Sequence, residues 1–387
     1  MEISGFSQRR SGRTIRDVCS ADIKSVEPIK MRHNQIRTGS QYFRNDRIKR
    51  SVSFALADLQ STISNLKSAI RNPQSAITGP LTFEPIFMER IWGGRRLEFE
   101  FGKKLPPNAR IGESWEIVDR AEAQSVVANG PLRGKTLHEL WTQHRHDIFG
   151  DVPDSDRFPL LVKLLDAHEK LSLQVHPPED TAKTLGGEPK TEFWYVAAAE
   201  RDTEISVGLR ASLTREQFKR ALDEKTVEDC VHKIRVKAGD AMFLSAGRLH
   251  AVSGGNLLVE IQQNSDTTYR VFDWNRVDEK GKQRQLHVDQ ALQCIDFSDV
   301  EPKLIEPQGE LLMRHKLFEV QKWKLDRPRE MVRPGQFAIV GCLSGSLRCA
   351  DVDLAPGEFF LAPASLQDRQ LHPRAEETSS LRVTIPL

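Results

Sequence analysis

The sequence predicts a mainly β body, a sandwich or jelly roll of many short strands with a few inserted helices, behind a basic N-terminal leader expected to be disordered. Three observations predict it. From about residue 81 onward, short runs alternate apolar with polar residues and are separated by turns bearing Gly and Pro, the mark of half-buried strands. Helical spacing of apolar residues recurs only in brief windows between them. Composition also changes near residue 78: before it the chain is rich in Arg, Ser, Asn and Gln, with little apolar content ahead of Phe54.

At 387 residues the chain has room for one large or two medium domains. Its 39% apolar and 28% charged residues are globular values. Of the 56 Lys/Arg and 54 Asp/Glu, residues 1–78 hold 14 and 6, which leaves 42 and 48 for the rest. The body is thus mildly acidic, which argues against nucleic acid as its ligand. Five scattered cysteines (Cys19, Cys230, Cys294, Cys342, Cys349) form no Cys-x-x-Cys and no disulfide framework, which suits a reducing, cytoplasmic setting. No run of about 18 apolar residues is present, so no membrane span is expected. Arg9-Arg10 is followed by no apolar segment, so no secretory signal is read.

Taken in order, Leu56, Leu59, Ile63, Leu66 and Ile70 form a short helical stripe within the leader, over about 54–70. The favoured reading gives residues 1–78 no function, as from an over-long translation start; a basic arm recruiting a partner is the alternative. The body begins at Gly79-Pro80. Leu81–Phe87 is extended and broken at Pro85, and Trp92 and Trp115 are assigned to the core. Glu113 and Glu116 lie in the strand-like run 112–117 and are assigned to a solvated face. Thr136 through Phe149 reads as one helix, with Thr136 as N-cap and Glu139 at the third helical position. Phe158–Leu165 reads as a buried strand, and Ser212 to about Lys225 as a helix capped by the serine. Strands follow at 233–237, at 241–244, from His250 and at 257–262; in the last, Leu258, Glu260 and Gln262 share a face. A polar loop, 263–270, leads into 271–273, and such loops on a β scaffold often carry chemistry. From about Leu311 a second set of short strands contains only His315 and His372, with no clustered carboxylate, and reads as a sheet without a metal site.

The stretch Leu171-Ser-Leu-Gln-Val-His-Pro177 organises the body. Gln174 and His176 share one face of a strand, about 7 Å apart at ~3.4 Å per residue. Lys190 and Glu192 share a face of the strand at 190–196 by the same rule. With His250 these give four candidate ligands on neighbouring strands: Gln174, His176, Glu192 and His250. Two imidazoles, a carboxylate and an amide oxygen suit Zn²⁺, and would also accept Mn²⁺, Fe²⁺ or Co²⁺. The absence of thiolate argues against a closed structural zinc.

Four segments in this order, Gln174-Val-His-Pro177, Lys190-Thr-Glu-Phe-Trp-Tyr195, Ala246-Gly-Arg-Leu-His-Ala251 and Gln263-Asn-Ser-Asp-Thr-Thr-Tyr-Arg-Val271, resemble type I mannose-6-phosphate isomerase, in its short bacterial form. The resemblance covers roughly residues 80–387. It implies two cupin-type jelly rolls, a metal-binding catalytic one over 79–308 and a metal-free one over 309–387. It implies one metal ion per chain, usually zinc, held by Gln174, His176, Glu192 and His250. It also implies an active-site arginine at Arg270, a lysine beside the metal at Lys190 and an acidic pocket residue at Glu260. Two positions depart from the pattern: Ser245 where proline is usual, and Arg248 where a small or β-branched residue is common. The added positive charge so near His250 is expected to alter metal affinity or the pocket mouth.

The implied reaction interconverts mannose 6-phosphate and fructose 6-phosphate by moving a proton between C1 and C2 through a cis-enediol. A divalent metal, with Arg270 and Lys190, would hold the enediolate charge, and one of the two cations could instead grip phosphate. Glu260 is a candidate base, not distinguished here from an electrostatic helper. Two rivals stand beside this reading: an isomerase of another aldose or sugar phosphate, and a sugar-binding cupin without catalysis. The sequence gives no oligomeric state, monomer or dimer.

Overall fold

Alternating sequence becomes paired strand from Leu81 to Thr384, and pairing within the four main sheets is antiparallel. The computed structural model describes residues 77, 79–277 and 281–386. Apart from Ile77, which is buried in the core, the leader with its 54–70 stripe lies outside the described residues.

A five-stranded sheet runs in the order Val231–Arg235, Glu204–Leu209, His250–Val252, Leu173–Val175, Tyr269–Phe272. A six-stranded sheet runs Ala241–Leu244, Glu192–Ala199, Asn256–Gln263, Leu160–Ala167, Ile111–Ile117, Ile86–Gly94. They face each other across a core that includes Leu165, Trp194, Val196 and Leu258 from one sheet and Ile205, Val207 and Val252 from the other. The C-terminal strands build a second sandwich. Its six-stranded sheet holds Leu81–Thr82, Phe359–Ala362, Ala338–Ser344, Thr378–Thr384, Phe318–Leu325 and Leu311–His315. Its four-stranded sheet holds Arg329–Glu330, Gln370–Pro373, Leu347–Cys349 and Val352–Leu354. Pro85 does split the first extended segment: residues 81–82 pair with Leu361 and Phe360, while Ile86–Gly94 joins the first sandwich.

The two six-stranded sheets stand back to back. Val162, Leu164, Val259 and Ile261 of one pack in the same core as Val320, Ile339, Leu361 and Val383 of the other. This corrects the placing of Glu113 and Glu116 on a solvated face. Both faces of their strand are covered, so Glu116 is buried and Glu113 is only 12% exposed. Glu116 pairs with the equally buried Lys103 at 2.8 Å, and Glu113 accepts from Arg90 at 3.0 Å and from the Trp115 indole at 2.7 Å. Guanidinium and ammonium neighbours hold Glu113 down at about 2, against burial, which alone would raise it.

Capping explains the helices, with two further corrections. Thr136 and Glu139 form the expected capping box, but the helix is two: Leu137–Gln143 and Arg145–Phe149, broken at His144, whose φ is −128°. The break lets Phe149 meet Trp141 edge-on, with ring centroids 4.8 Å apart. The later helix is Arg215–Asp223, capped by Thr214 and not by Ser212. Thr214 wins because Gln217 sits three residues on and closes a reciprocal box with it.

Candidate metal centre

Register brings the polar side chains together. His250 lies opposite Gln174 on one side and Val207 on the other, and Gln174 lies opposite Arg270. This row crosses the five-stranded sheet on its inner face. Glu192 starts its strand between Leu244 and Gln262 of the facing sheet. His176 follows the end of its strand, where Pro177 and Pro178 stop the ladder. The turn before His250 depends on Gly247, whose φ of +91° favours glycine; its N–H donates to the His176 carbonyl at 2.8 Å.

Ligand atoms of His176, Glu192 and His250 all lie within 4.8 Å of one another, and all three residues are buried. Each imidazole has its tautomer set by a carbonyl. His176 Nδ1–H donates to Thr267 O and His250 Nδ1–H to Arg248 O, both at 2.9 Å. Both Nε2 lone pairs are thereby free to face inward. His176 Nε2 lies 3.1 Å from Glu192 Oε1, and His250 Nε2 3.9 Å from Glu192 Oε2. Neither His176 Nε2 nor Glu192 Oε2 finds a hydrogen bond, although both are buried. Orphaned lone pairs this close together are costly unless something positive sits among them. Burial, then the Lys190 charge, pushes His176 down to about 3, and burial lowers His250 as well, so both rings are neutral donors at neutral pH. Gln174 completes the edge: its amide nitrogen is 3.2 Å from His250 Nε2, and a half-turn of the amide would present oxygen there instead. The donor set fits a divalent ion.

A second layer of charge stands behind the ligand atoms. Lys190 Nζ is 3.0 Å from Glu192 Oε1. Burial alone would strip its proton, but Glu192, Glu260 and Asp266 raise its pKa, and it stays charged. Burial also opposes ionisation of Glu192, yet Lys190 and then His176 hold it well below the usual carboxylate range. Glu260 accepts from the Trp194 indole at 2.9 Å and faces Lys163 Nζ at 3.4 Å. Burial and then the Glu192 charge push Glu260 up to about 7. Lys163 was not singled out in the sequence. It also lies 3.9 Å from Glu113, so a chain Glu113–Lys163–Glu260 runs beside the centre. The available signal was one lysine inside the apolar run Phe158–Leu165, since a buried lysine needs a carboxylate partner.

Arg270 projects from the inner row beside Gln174, but its guanidinium does not join the His–Glu cluster. Nη1 donates to Gln285 O at 2.8 Å and Nε is buried without a partner. Arg276 and Arg284 both grip Asp273, whose charge also acts on Arg270. Burial, then the nearby Arg284, lowers Arg270's own pKa. Arg248 has a partner far along the chain. Its side chain clasps Asp299 with Nε and Nη2, each at 2.8 Å, and donates Nη1 to Phe243 O. Asp299 thus holds the side chain in place, the Arg248 charge still acts after burial to lower the His250 pKa, and the Arg248 carbonyl orients His250. Ser245 sits in the same turn, its carbonyl accepting from Arg248 N–H at 3.0 Å.

Stacked jelly rolls, one of them lined by paired imidazoles and a carboxylate, define a protein of the cupin class. A family model for the catalytic domain of type I phosphomannose isomerase matches residues 81–221. The Bacillus subtilis (strain 168) protein named "Probable mannose-6-phosphate isomerase GmuF" is 39% identical over 301 residues, 74% of this chain and 94% of its own. Mannose-6-phosphate isomerase ManA of the same organism is 36% identical over 312 residues, 77% and 98%. The crystal structure of the mannose 6-phosphate isomerase from Bacillus subtilis superposes with a TM-score of 0.72 at 34% identity, covering 80% of this chain and all of that one. The chain belongs to the type I phosphomannose isomerase family.

Proposed function

We propose that this protein is a metal-dependent aldose–ketose isomerase that interconverts mannose 6-phosphate and fructose 6-phosphate. The observation that carries the reading is the buried pair of orphaned lone pairs on His176 and Glu192, beside a lysine kept charged at Lys190. Family membership supplies the substrate. Gln174, His176, Glu192 and His250 would hold the ion, and this N/O set makes zinc our choice. When bound, such an ion supplies Lewis acidity toward the sugar carbonyl and the oxygen that becomes negative. Lys190 adds fixed positive charge to that oxygen in a site closed to water. Glu260, poised near neutrality, is our candidate to carry the proton between C1 and C2. Arg270, with Arg276 and Arg284 behind it, supports a phosphate grip, because guanidinium forks match phosphate oxygens. We divide the body into a catalytic unit, 79–308, and a second unit, 309–387, on the two sandwiches. A cytoplasmic location fits the four free cysteines among the described residues; none of those residues forms a helix long and apolar enough to cross a membrane.

The deciding experiment supplies zinc-loaded protein with mannose 6-phosphate and follows fructose 6-phosphate, with and without chelator. Chelator-sensitive turnover is expected. Metal demonstrably bound but no turnover would replace this reading by another sugar or a binding-only role.

Two further outcomes follow from the surroundings of the site. Glu260 has a folded pKa raised above its unfolded value, so its contribution to stability is full below about 4.5 and is lost as pH rises through about 7. Metal-free protein should therefore lose melting temperature between those values, and Glu260→Gln should flatten that slope; an unchanged slope would remove Glu260 from the role. Asp299→Ala should free the Arg248 side chain, loosen the carbonyl that orients His250 and weaken metal binding by roughly 10-fold or more. A competition titration against a fluorescent chelator reads this directly, and wild-type affinity would mean the clasp is idle.

A further inference from the structure

The second sandwich has no cluster of metal ligands among its described residues, yet its interior is not sealed. Beside its shortest edge strand, Arg329–Glu330, lies a cavity of ≈ 550 Å³, within the range of roughly 300–1,000 Å³ that suits small ligands. Its floor is the inner face of the six-stranded sheet. Phe318, Val320, Leu381 and Val383 face the shared core between sandwiches, so Glu319, Gln321, Arg382 and Thr384 face inward. Cross-strand register then sets Arg382 opposite Gln321 and Thr384 opposite Glu319.

The cations here outlast their partners. Glu319 is already engaged by Arg314 at 2.6 Å and by the Gln321 amide at 2.9 Å, and Glu330 by Arg369 at 2.9 Å. Asp151, the remaining acid on the wall, is exposed to water. Arg382 is 12% exposed and donates Nε to Met331 O at 2.6 Å, but its nearest carboxylate oxygen is 3.9 Å away. Arg333, on the rim, makes no ion pair among the described residues. Burial, and then Arg329 and Arg333, lower the pKa of Arg382 against the pull of Glu319, as expected of a guanidinium in a positive field. A desolvated guanidinium with spare donors is unfavourable alone and favourable against a dianion. The Thr384 hydroxyl and the Gln336 amide beside it are hydrogen-bonding groups matched to hydroxyls.

We propose that this cavity is a second ligand site, taking a small hydroxylated phosphate monoester such as a sugar phosphate, with its phosphate on Arg382 and Arg333.

Calorimetric titration of the metal-loaded, full-length protein with fructose 6-phosphate tests it. Two sites per chain are expected. Arg333→Glu and Arg382→Met should each leave one, with metal content and kcat unchanged. Inorganic phosphate should compete at the second site, and unphosphorylated fructose should not enter it. One site in the wild type that both rim variants retain would overturn the proposal, as would two sites surviving in both. Arg382→Met removes a bond to Met331 and could fail to fold, whereas Arg333 is exposed and its variant keeps the test decisive. If the catalytic reading failed instead, turnover would be absent while Arg333→Glu still lowered the count by one.

Discussion

Replacing His250 by Ala is expected to remove metal and turnover together. His250 is one of two imidazoles whose Nε2 is left unprotonated by a carbonyl on the far side of the ring, and it sits opposite Gln174. Without it the proposed set keeps one imidazole, one carboxylate and one amide, too little to hold a divalent ion against water. The loss of Lewis acidity is worth several kcal/mol, so kcat/KM should fall by about 10³-fold or more, while metal per chain falls in proportion. Glu192→Gln should behave the same way for a second reason. It would leave Lys190 buried without its nearest carboxylate, so melting temperature should drop further than in His250→Ala. Elemental analysis of purified protein reads the metal, and the coupled assay reads the rate. Full occupancy in His250→Ala would show that the ion is held elsewhere.

These candidate ligands were legible in the sequence because strand periodicity is strict. A period of two fixes which residues share a face, and Gln174, Glu192 and His250 needed only a β scaffold to be brought near one another. The scaffold was legible for the same reason: the strands at 160–167, 241–244, 256–263 and 359–362 fall where alternation or short apolar runs place them. What alternation does not say is what covers each face. Glu113 and Glu116 were assigned to solvent because polar positions of a half-buried strand usually meet water. Here one face of the sheet meets the catalytic interior and the other meets the second sandwich, a contact between residues far apart in sequence. Lys163 stayed hidden for the same reason, its two carboxylate partners arriving from other strands. For Arg248 the sequence shows the proximity to His250, but not that Asp299, 51 residues on, holds its side chain. Local signals pick out the candidate ligands; the electrostatics around them are set by pairings that only the fold creates.

Arg270→Ala is expected to keep the metal and lose the reaction. The guanidinium is not a ligand, and the backbone pairing of residue 270 with Gln174 survives truncation, so the neighbouring ligand strand should keep its place. Nor does the side chain hold much of the fold: among the described residues its one direct bond is to the Gln285 carbonyl, and its Nε waits buried without an acceptor. A donor kept unsatisfied in a half-buried position is a cost that an anionic substrate would relieve. Removing a positioned cation from a developing or bound negative charge should lower kcat/KM by about 10²–10³-fold. The division of that loss identifies the anion. If Arg270 grips phosphate, KM rises most, and Arg284→Ala, which loosens the arginines around Asp273, should share part of the effect. If it faces the enediolate, kcat falls with KM little changed and Arg284→Ala stays close to wild type. Arg270→Lys separates charge from geometry, since an ammonium restores the charge without the fork. Metal loss in Arg270→Ala matching that of His250→Ala would make the residue structural and withdraw it from the chemistry.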